Sequence, residues 1–206
     1  DKFIKDMDAS FSNSEGSLSG NIFGNLVNIG PKMSIDEARL SLYADDDKFG
    51  LGFNYGESVE DGNDGEILTL GTLGRDKASD LSLQLRILPS GMRINSADWD
   101  IHEAELSIAD GHIRIDGFGF SNGDQGISIN GCIDSNGGDS LRVDMERFGI
   151  DLLNPLLPDN MQLSGSATGS ALLVSPIASP DLNLDIVCDS AAIGGHQQLF
   201  VRLLRV

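Results

Sequence analysis

Leu106 to Met145 reads L-S-I-A-D-G-H-I-R-I-D-G-F-G-F-S-N-G-D-Q-G-I-S-I-N-G-C-I-D-S-N-G-G-D-S-L-R-V-D-M. Apolar and polar residues alternate in short runs, and each run closes on an Asp, Asn or Gly cluster. Period-two alternation between turn signals predicts half-buried antiparallel strands. Asp110-Gly111 suits a two-residue hairpin loop, because both central positions of a type I′ turn need positive φ. Such a turn sets Ala109 opposite His112, Ile108 opposite Ile113 and Leu106 opposite Ile115, with Ser107, Arg114 and Asp116 on the other face. A one-residue slip would turn the apolar set to the wrong side, so turn and pattern select one register. A loop over Asn122 to Gln125 places Phe120 opposite Ile127 and Phe118 opposite Ile129. A loop centred near Gly137 places Ile133 opposite Leu141 and Ile129 opposite Met145. These strands, in meander order, share one apolar and one charged face.

Working outward, weaker versions of the pattern fill the rest of the chain. Phe3, Met7, Ala9 and Phe11 keep one parity up to the turn cluster Asn13 to Gly16, Leu18 and Ile22 follow, and Asn28-Ile29-Gly30-Pro31 breaks the chain. Ala38, Leu40 and Leu42 alternate before the turn Asp45-Asp46-Asp47. Phe49, Leu51, Phe53 and Tyr55 then alternate with Gly50, Gly52 and Asn54. Glycine at two outward strand positions implies a bend or a close approach by a neighbour. Glu57 to Glu66 is the most polar stretch and reads as a loop. The chain is expected to be one β-rich unit over 1–206, and any sub-division would fall at this loop, into N-terminal strands 1–66 and a C-terminal trough 67–206. Leu68 and Leu70 are expected to resume the apolar face, followed by Leu81, Leu83, Leu85 and Ile87 and a hairpin over Pro89-Ser90-Gly91.

Parity switches to odd at Trp99 and Ile101, back to even at Ala104, again between Ile115 and Phe118 across Gly117, and again between Met145 and Phe148. An extra residue that reverses parity while the apolar face stays inward is a β-bulge, which bends and twists its strand. Repeated bulges would curl the meander into a trough. Phe148 to Pro158 departs from the pattern, since two Pro exclude a regular central strand; a short helical or looped segment over an open end of the apolar face is expected there. Leu182, Leu184 and Ile186 make a further strand, and no apolar stripe of helical spacing runs beyond two turns with caps. The fold class expected is therefore all-β, an antiparallel meander curled into an open trough with an aliphatic interior.

Composition bounds the function. There are 14 Lys plus Arg against 32 Asp plus Glu, a formal charge of −18, with 9 Phe, 2 Tyr and 1 Trp. A strongly acidic chain with few aromatics argues against nucleic acid, whose phosphates need cations, and against docking on an anionic bilayer. Its acids suit a solvated outer sheet face. Cys132 and Cys188 lack CxxC spacing and read as free, buried thiols ahead of a bridge. No apolar run is long enough for a spanning helix. The chain begins at Asp1-Lys2 and ends on the apolar run Phe200 to Val206, which suggests a piece of something longer.

Catalytic and metal patterns are weak. His102, His112 and His196 have no ligand spacing, and Gly16-Ser17-Leu18-Ser19-Gly20 has Leu where a nucleophile elbow needs Ser. Gly50 to Gly56 has the wrong spacing for a dinucleotide loop, and no helix follows it. Asp45 onward puts Gly50 at the sixth position of a calcium loop but Gly56 where Glu is needed, and Asn136-Gly137-Gly138-Asp139 is an unrepeated fragment of a calcium-binding repeat. No catalytic residue, metal ligand or cofactor is expected.

What remains is the apolar face. Its inward set, which also takes in Leu81, Ile87 and Met92, centres on Leu83, Leu85, Ile94, Trp99, Ile101, Leu106, Ile108, Ile113, Ile115, Phe118, Phe120, Ile127, Ile129, Leu141, Val143 and Met145. Contiguous apolar surface beyond about a few hundred Å² marks an interaction site. The cover has to be a second sheet, this sheet folded on itself, or a ligand with acyl chains.

Ile94, Trp99-x-Ile101, Ala109 to Phe118, Asp124 to Gly131, Leu141-Arg142-Val143-Asp144-Met145 with Phe148, Leu153-Asn154-Pro155-Leu156, Leu163-Ser164-Gly165 with Gly169, and Pro180-Asp181-Leu182 occur in an order that resembles the C-terminal region of the TamB family (translocation and assembly module), of the Bacteroidetes type. The resemblance covers about Met92 to Gly195, and the first 90 residues only in general style. It implies a fragment of a long periplasmic protein held by an inner-membrane anchor outside this stretch. It also implies a tube or taco of strands, grouped with AsmA-like and bridge-like lipid transfer proteins, that conducts phospholipid between inner and outer membrane. The sixteen residues named above would be the lipid-facing groove, with lipid acyl chains and a BamA-type outer-membrane protein as partners. A scaffold that assists outer-membrane protein assembly by strand pairing is the alternative. No active site comes with the resemblance.

Overall fold

A computed structural model describes residues 3–28, 34–56, 63–75, 81–94, 96–134, 139–157, 161–177, 180–193, 196–199 and 202–203. The first half contributes β1 (Phe3–Ser14), β2 (Ser17–Asn28), β3 (Ser34–Asp45), β4 (Lys48–Tyr55), β5 (Asp64–Arg75), β6 (Leu81–Ile87), β7 (Ser90–Ile94) and β8 (Ala97–Ile101). Then follow β9 (Ala104–Ala109), β10 (His112–Asn122), β11 (Gln125–Asp134) and β12 (Ser140–Gly149). A 3-10 helix, Ile150–Leu156, separates these from β13 (Leu163–Val174), β14 (Asp181–Ile193), β15 (His196–Leu199) and β16 (Arg202–Leu203). Among the described residues the sixteen strands form one sheet whose main path is a meander, with β7, β8 and β16 off that path; every pairing is antiparallel, and β1 does not pair with β14. The protein is an all-β meander that curls towards a ring without closing as a barrel.

The reason for this order is local. Several strands are joined by tight reversals, as at Glu15-Gly16, Asp46-Asp47, Asp110-Gly111 and Gly123-Asp124, so the nearest partner in space is the next strand in sequence. Asp110 and Gly111 adopt φ of 52° and 78°, as a type I′ turn requires, and fix Ile108 to Ile113 and Leu106 to Ile115. Phe120 pairs with Ile127 and Phe118 with Ile129, with a bulge between Ile115 and Phe118. Gly117 takes φ 74° there, and its N–H donates to Asn130 Oδ1 at 2.7 Å. The second expected bulge lies between Met145 and Phe148, where the Arg147 N–H donates to Thr168 Oγ1 at 3.0 Å.

Three expectations need correction. First, β11 and β12 pair two residues away from the expected register: Gly131 meets Leu141, Ile129 meets Val143 and Ile127 meets Met145. The Asp139 carboxylate accepts the Asp134 N–H at 2.6 Å, which tightens this hairpin. A shift of two keeps the same face inward. The loop around Gly137 itself lies outside the described residues.

Second, Pro89-Ser90-Gly91 is not a hairpin. Both β6 and β7 pair with β5, so they are one interrupted strand running in one direction. Leu88 N–H still donates to Leu68 O at 2.8 Å, carrying the chain across Pro89 without reversal. The reversal comes between Ile94 and Ala97, which are partners, with Ser96 at φ 63°. Likewise β8 and β9 both pair with β10, interrupted at His102-Glu103, and this is the parity switch seen in the sequence.

Third, Leu68 and Leu70 face outward. Their partners are Gly52 and Gly50, whereas Phe49, Leu51 and Phe53 oppose Gly71, Thr69 and Ile67 on the inner face. A Cβ at Gly50 or Gly52 would meet Leu70 Cδ2 at 3.9 Å or Leu68 Cδ2 at 3.5 Å, ordinary contacts, so the close approach expected at those outward glycines is not found. The expected break over residues 29–31 and most of the polar loop, 57–62, lie outside the described residues; β4 and β5, flanking that loop, pair from Lys48–Thr72 to Tyr55–Gly65.

Candidate functional site

Directly opposed residues in a ladder project to the same side, so face membership can be followed from strand to strand. One row runs Leu18, Ala44, Phe49, Gly71, Leu85, Leu106, Ile115, Gly131, Leu141, Leu173 and Leu182. On one side of it lie Leu73, Leu83, Ile108, Ile113 and Ile133. On the other side lie Phe118, Ile129, Val143, Ala171 and Leu184, then Ile101, Phe120, Ile127, Met145, Gly169 and Ile186. Met92 and Trp99 are partners, and Ile94 shares their parity on β7. All sixteen residues named from the sequence therefore share one face.

That face is larger than the sequence suggested. It extends back through Phe53, Leu51 and Phe49 to Leu42, Leu40 and Ile22, and forward to Leu173, Leu184 and Ile186. The alternation at Phe49 to Tyr55 was the available signal. The opposite face carries Lys48, Thr72, Gln84, Ser107, Arg114 and Cys132 in one row. Ion pairs there include Arg142–Asp144 at 2.7 Å and Arg147–Asp124. Cys132 sits in this outer row and Cys188 opposes Ala167 on the inner face, so the two thiols lie on opposite sides of the sheet and are free.

The inner face is concave. Trp99, Phe120 and Phe148 meet edge to face, with ring centroids 5.4 Å (Trp99–Phe120), 6.3 Å (Trp99–Phe148) and 6.2 Å (Phe120–Phe148) apart. Trp99 and Phe148 stand on β8 and β12, three ladder steps apart and so separated by roughly 14 Å on a flat sheet. Their contact requires the sheet to curl across its strands. This cluster is the sealed end of the concavity: Trp99 is 3% exposed, Phe148 4%, Ile101 3% and Ala167 3%. At the other end and along the β1 edge the same face is open, with Leu73 42% exposed, Leu81 67% and Phe11 61%.

No helix or second sheet lies over the open part among the described residues. The accessible surface, 13167 Å², exceeds the about 9,300 Å² expected for a globular chain of this mass. The 3-10 helix that follows Phe148 is fastened to β13, since Asn154 accepts from Leu163 N–H at 2.6 Å and donates to Leu163 O at 2.8 Å. A short helical or looped segment was expected here; the clamp was not legible in the sequence.

Polar chemistry is concentrated outside the trough. His102 Nε2 and Ser121 Oγ lie 2.8 Å apart, and His112 Nδ1 lies 3.2 Å from Asp134 Oδ2. Among the described residues no group of three or more His, Cys, Asp or Glu converges as a metal site would. A polar atom without a partner also stands inside: Trp99 Nε1–H finds no acceptor among the described residues, an arrangement that costs about 1–3 kcal/mol. The arrangement is thus an open β-meander with a continuous aliphatic concave face, sealed by aromatic rings at one end. No family model, curated protein or solved structure matches the chain.

Proposed function

We propose that this chain is a module of a TamB-like, inner-membrane-anchored protein of the periplasm and that its concave apolar face carries phospholipid acyl chains between inner and outer membrane. The observation that carries this reading is the apolar row from Leu18 to Leu182, on a face that no second layer covers among the described residues. Such a wall holds alkyl chains through area alone, about 25 cal/mol per Å² removed from water. It offers no fixed polar contacts that would stop a chain from sliding. The acidic outer face, part of a net charge of −18, keeps the module from adhering to anionic bilayers.

The test is mass spectrometry of the protein purified without detergent, followed by transfer of a fluorescent phospholipid between donor and acceptor vesicles. Bound phospholipid and protein-dependent transfer are expected. An extract free of lipid, together with transfer at the rate of vesicles alone, would reject the conduit.

A second reading rests on a different feature. Among the described residues strand β1 presents a twelve-residue edge whose partner is β2, and such an edge can add an extended segment by backbone pairing. A scaffold that holds outer-membrane strands beside a BamA-type partner would use it. Binding of a synthetic outer-membrane strand, lost on placing Pro at Ser10, would favour that reading.

A further inference from the structure

Building on the conduit reading, we propose that β7 and β8 form a flap, whose Trp99 closes one end of the trough and swings aside to open it. The flap is the far half of the long hairpin from Leu81 to Ala109, and its attachment differs from that of the near half. Strand β6 pairs with β5 at seven positions and β9 pairs with β10 at five. By contrast, among the described residues β7 meets β5 at Arg93–Asp64 and Met92–Gly65, and β8 meets β10 at Ile101–Phe120 and Asp100–Ser121.

Hinges are present at both ends. The strands are interrupted at Leu88-Pro89 and at His102-Glu103. At these points a few hydrogen bonds pin the chain to the sheet: Leu88 N–H to Leu68 O at 2.8 Å and Leu68 N–H to Ser90 Oγ at 3.5 Å at one end, His102 N–H to Gly119 O at 2.9 Å and the 2.8 Å contact of His102 Nε2 with Ser121 Oγ at the other. Everything between the two pins can rotate without breaking the β6–β9 ladder.

The seat of the flap is equally specific. Met92 lies so close over Gly65 that a Cβ there would stand 2.8 Å from Met92 Cβ and 2.9 Å from Tyr55 Cε1. Arg93 bridges the flap to β5 through Asp64 at 3.2 Å, and its Nε holds Asp98 at 3.0 Å. With the flap seated, Trp99 packs on Phe120 and Phe148 while its Nε1–H has no acceptor among the described residues. Ring packing favours closure and the unpaired indole N–H opposes it, which lowers the cost of opening by about 1–3 kcal/mol. Opening exposes Phe120 and Phe148 to the trough and extends the path available to an alkyl chain.

Trp99 is the one tryptophan of the chain, so its fluorescence reports the flap alone. In the wild-type protein, amides of β7 and β8 should exchange with deuterium at least about tenfold faster than those of β10 to β12, as a separately opening unit does. Gly65→Ala and Asp64→Asn should raise acrylamide quenching of Trp99 by about twofold or more through the same local opening, with exchange in β10 to β12 unchanged. Exchange of β7 and β8 in step with β10 to β12 in the wild type would overturn the flap, whether or not Gly65→Ala folds. Brominated phosphatidylcholine separates this from the conduit: a flap that opens to acrylamide while Trp99 is never quenched by the lipid leaves the flap standing and removes the conduit. Phospholipid transfer without independent opening does the reverse.

Discussion

Phe49 lays its ring over Gly71 on the neighbouring strand, so any side chain at Gly71 would overlap it. Gly71→Ala is expected to cost about 1–3 kcal/mol through overpacking, read as a lower urea midpoint. Phe49→Leu combined with Gly71→Ala should lose less than the sum of the single changes, because the two positions share one contact. Glycine at 50 and 52 suggested a close approach that the structure does not show, whereas the tight contact at Gly71 lay outside any sequence signal. Burial and the nearby Asp64 carboxylate raise the Tyr55 phenol above its ordinary value of 10.0. A raised acid is favoured in its protonated form by folding, so its contribution to stability is complete below about pH 10. That contribution is lost as pH rises from there through the folded value. In a Tyr43→Phe variant, which leaves Tyr55 as the remaining tyrosine, phenolate absorbance should rise above pH 10; a midpoint at or below 10 would contradict the burial.

Elements show where the strand pattern stutters and what holds each irregularity. The bulges at Gly117 and near Arg147 were readable because each reverses parity. The bulge at Gly165, between Ser164 and Ser166, was not, because the surrounding Ser, Gly and Ala residues give no apolar phase to reverse. Side-chain clamps were invisible for a different reason: hydrogen bonds such as Asn154 to Leu163 join residues with no periodic relation. Asn154→Ala removes both bonds of that clamp and leaves the start of β13 short of a partner. A loss of about 1–3 kcal/mol is expected, with faster exchange at Leu163 than at Ser170. Asn154→Asp keeps the acceptor and should recover part of it.

At the scale of the molecule, the open and sealed ends of the trough should respond differently to a buried charge. Ile113 stands among Ile108 and Ile133 near the exposed Leu73 and Leu81, whereas the Phe120 ring packs between Trp99 and Phe148. Phe120→Asp should unfold the chain by more than about 3 kcal/mol, since a carboxylate cannot be hydrated there. Ile113→Asp should cost less than about 1.5 kcal/mol while abolishing lipid pickup. Thermal unfolding and the vesicle assay read the two effects separately. Equal destabilisation at both sites would mean that the trough is packed throughout.

The sequence by itself determined the all-β class, the meander order, the hairpin registers set by Asp110-Gly111 and Asn122 to Gln125, and the membership of the apolar face from Leu83 to Met145. Alternation and turn chemistry act between near neighbours, and both are written in residue order. Only the tertiary structure decided that Pro89-Ser90-Gly91 continues a strand and that Leu68 and Leu70 turn outward. It also decided that the concavity is sealed by Trp99, Phe120 and Phe148 yet open elsewhere. Each of these depends on which strand lies alongside and how far the sheet curls, a sum of small twists and bulges that no single stretch of residues encodes.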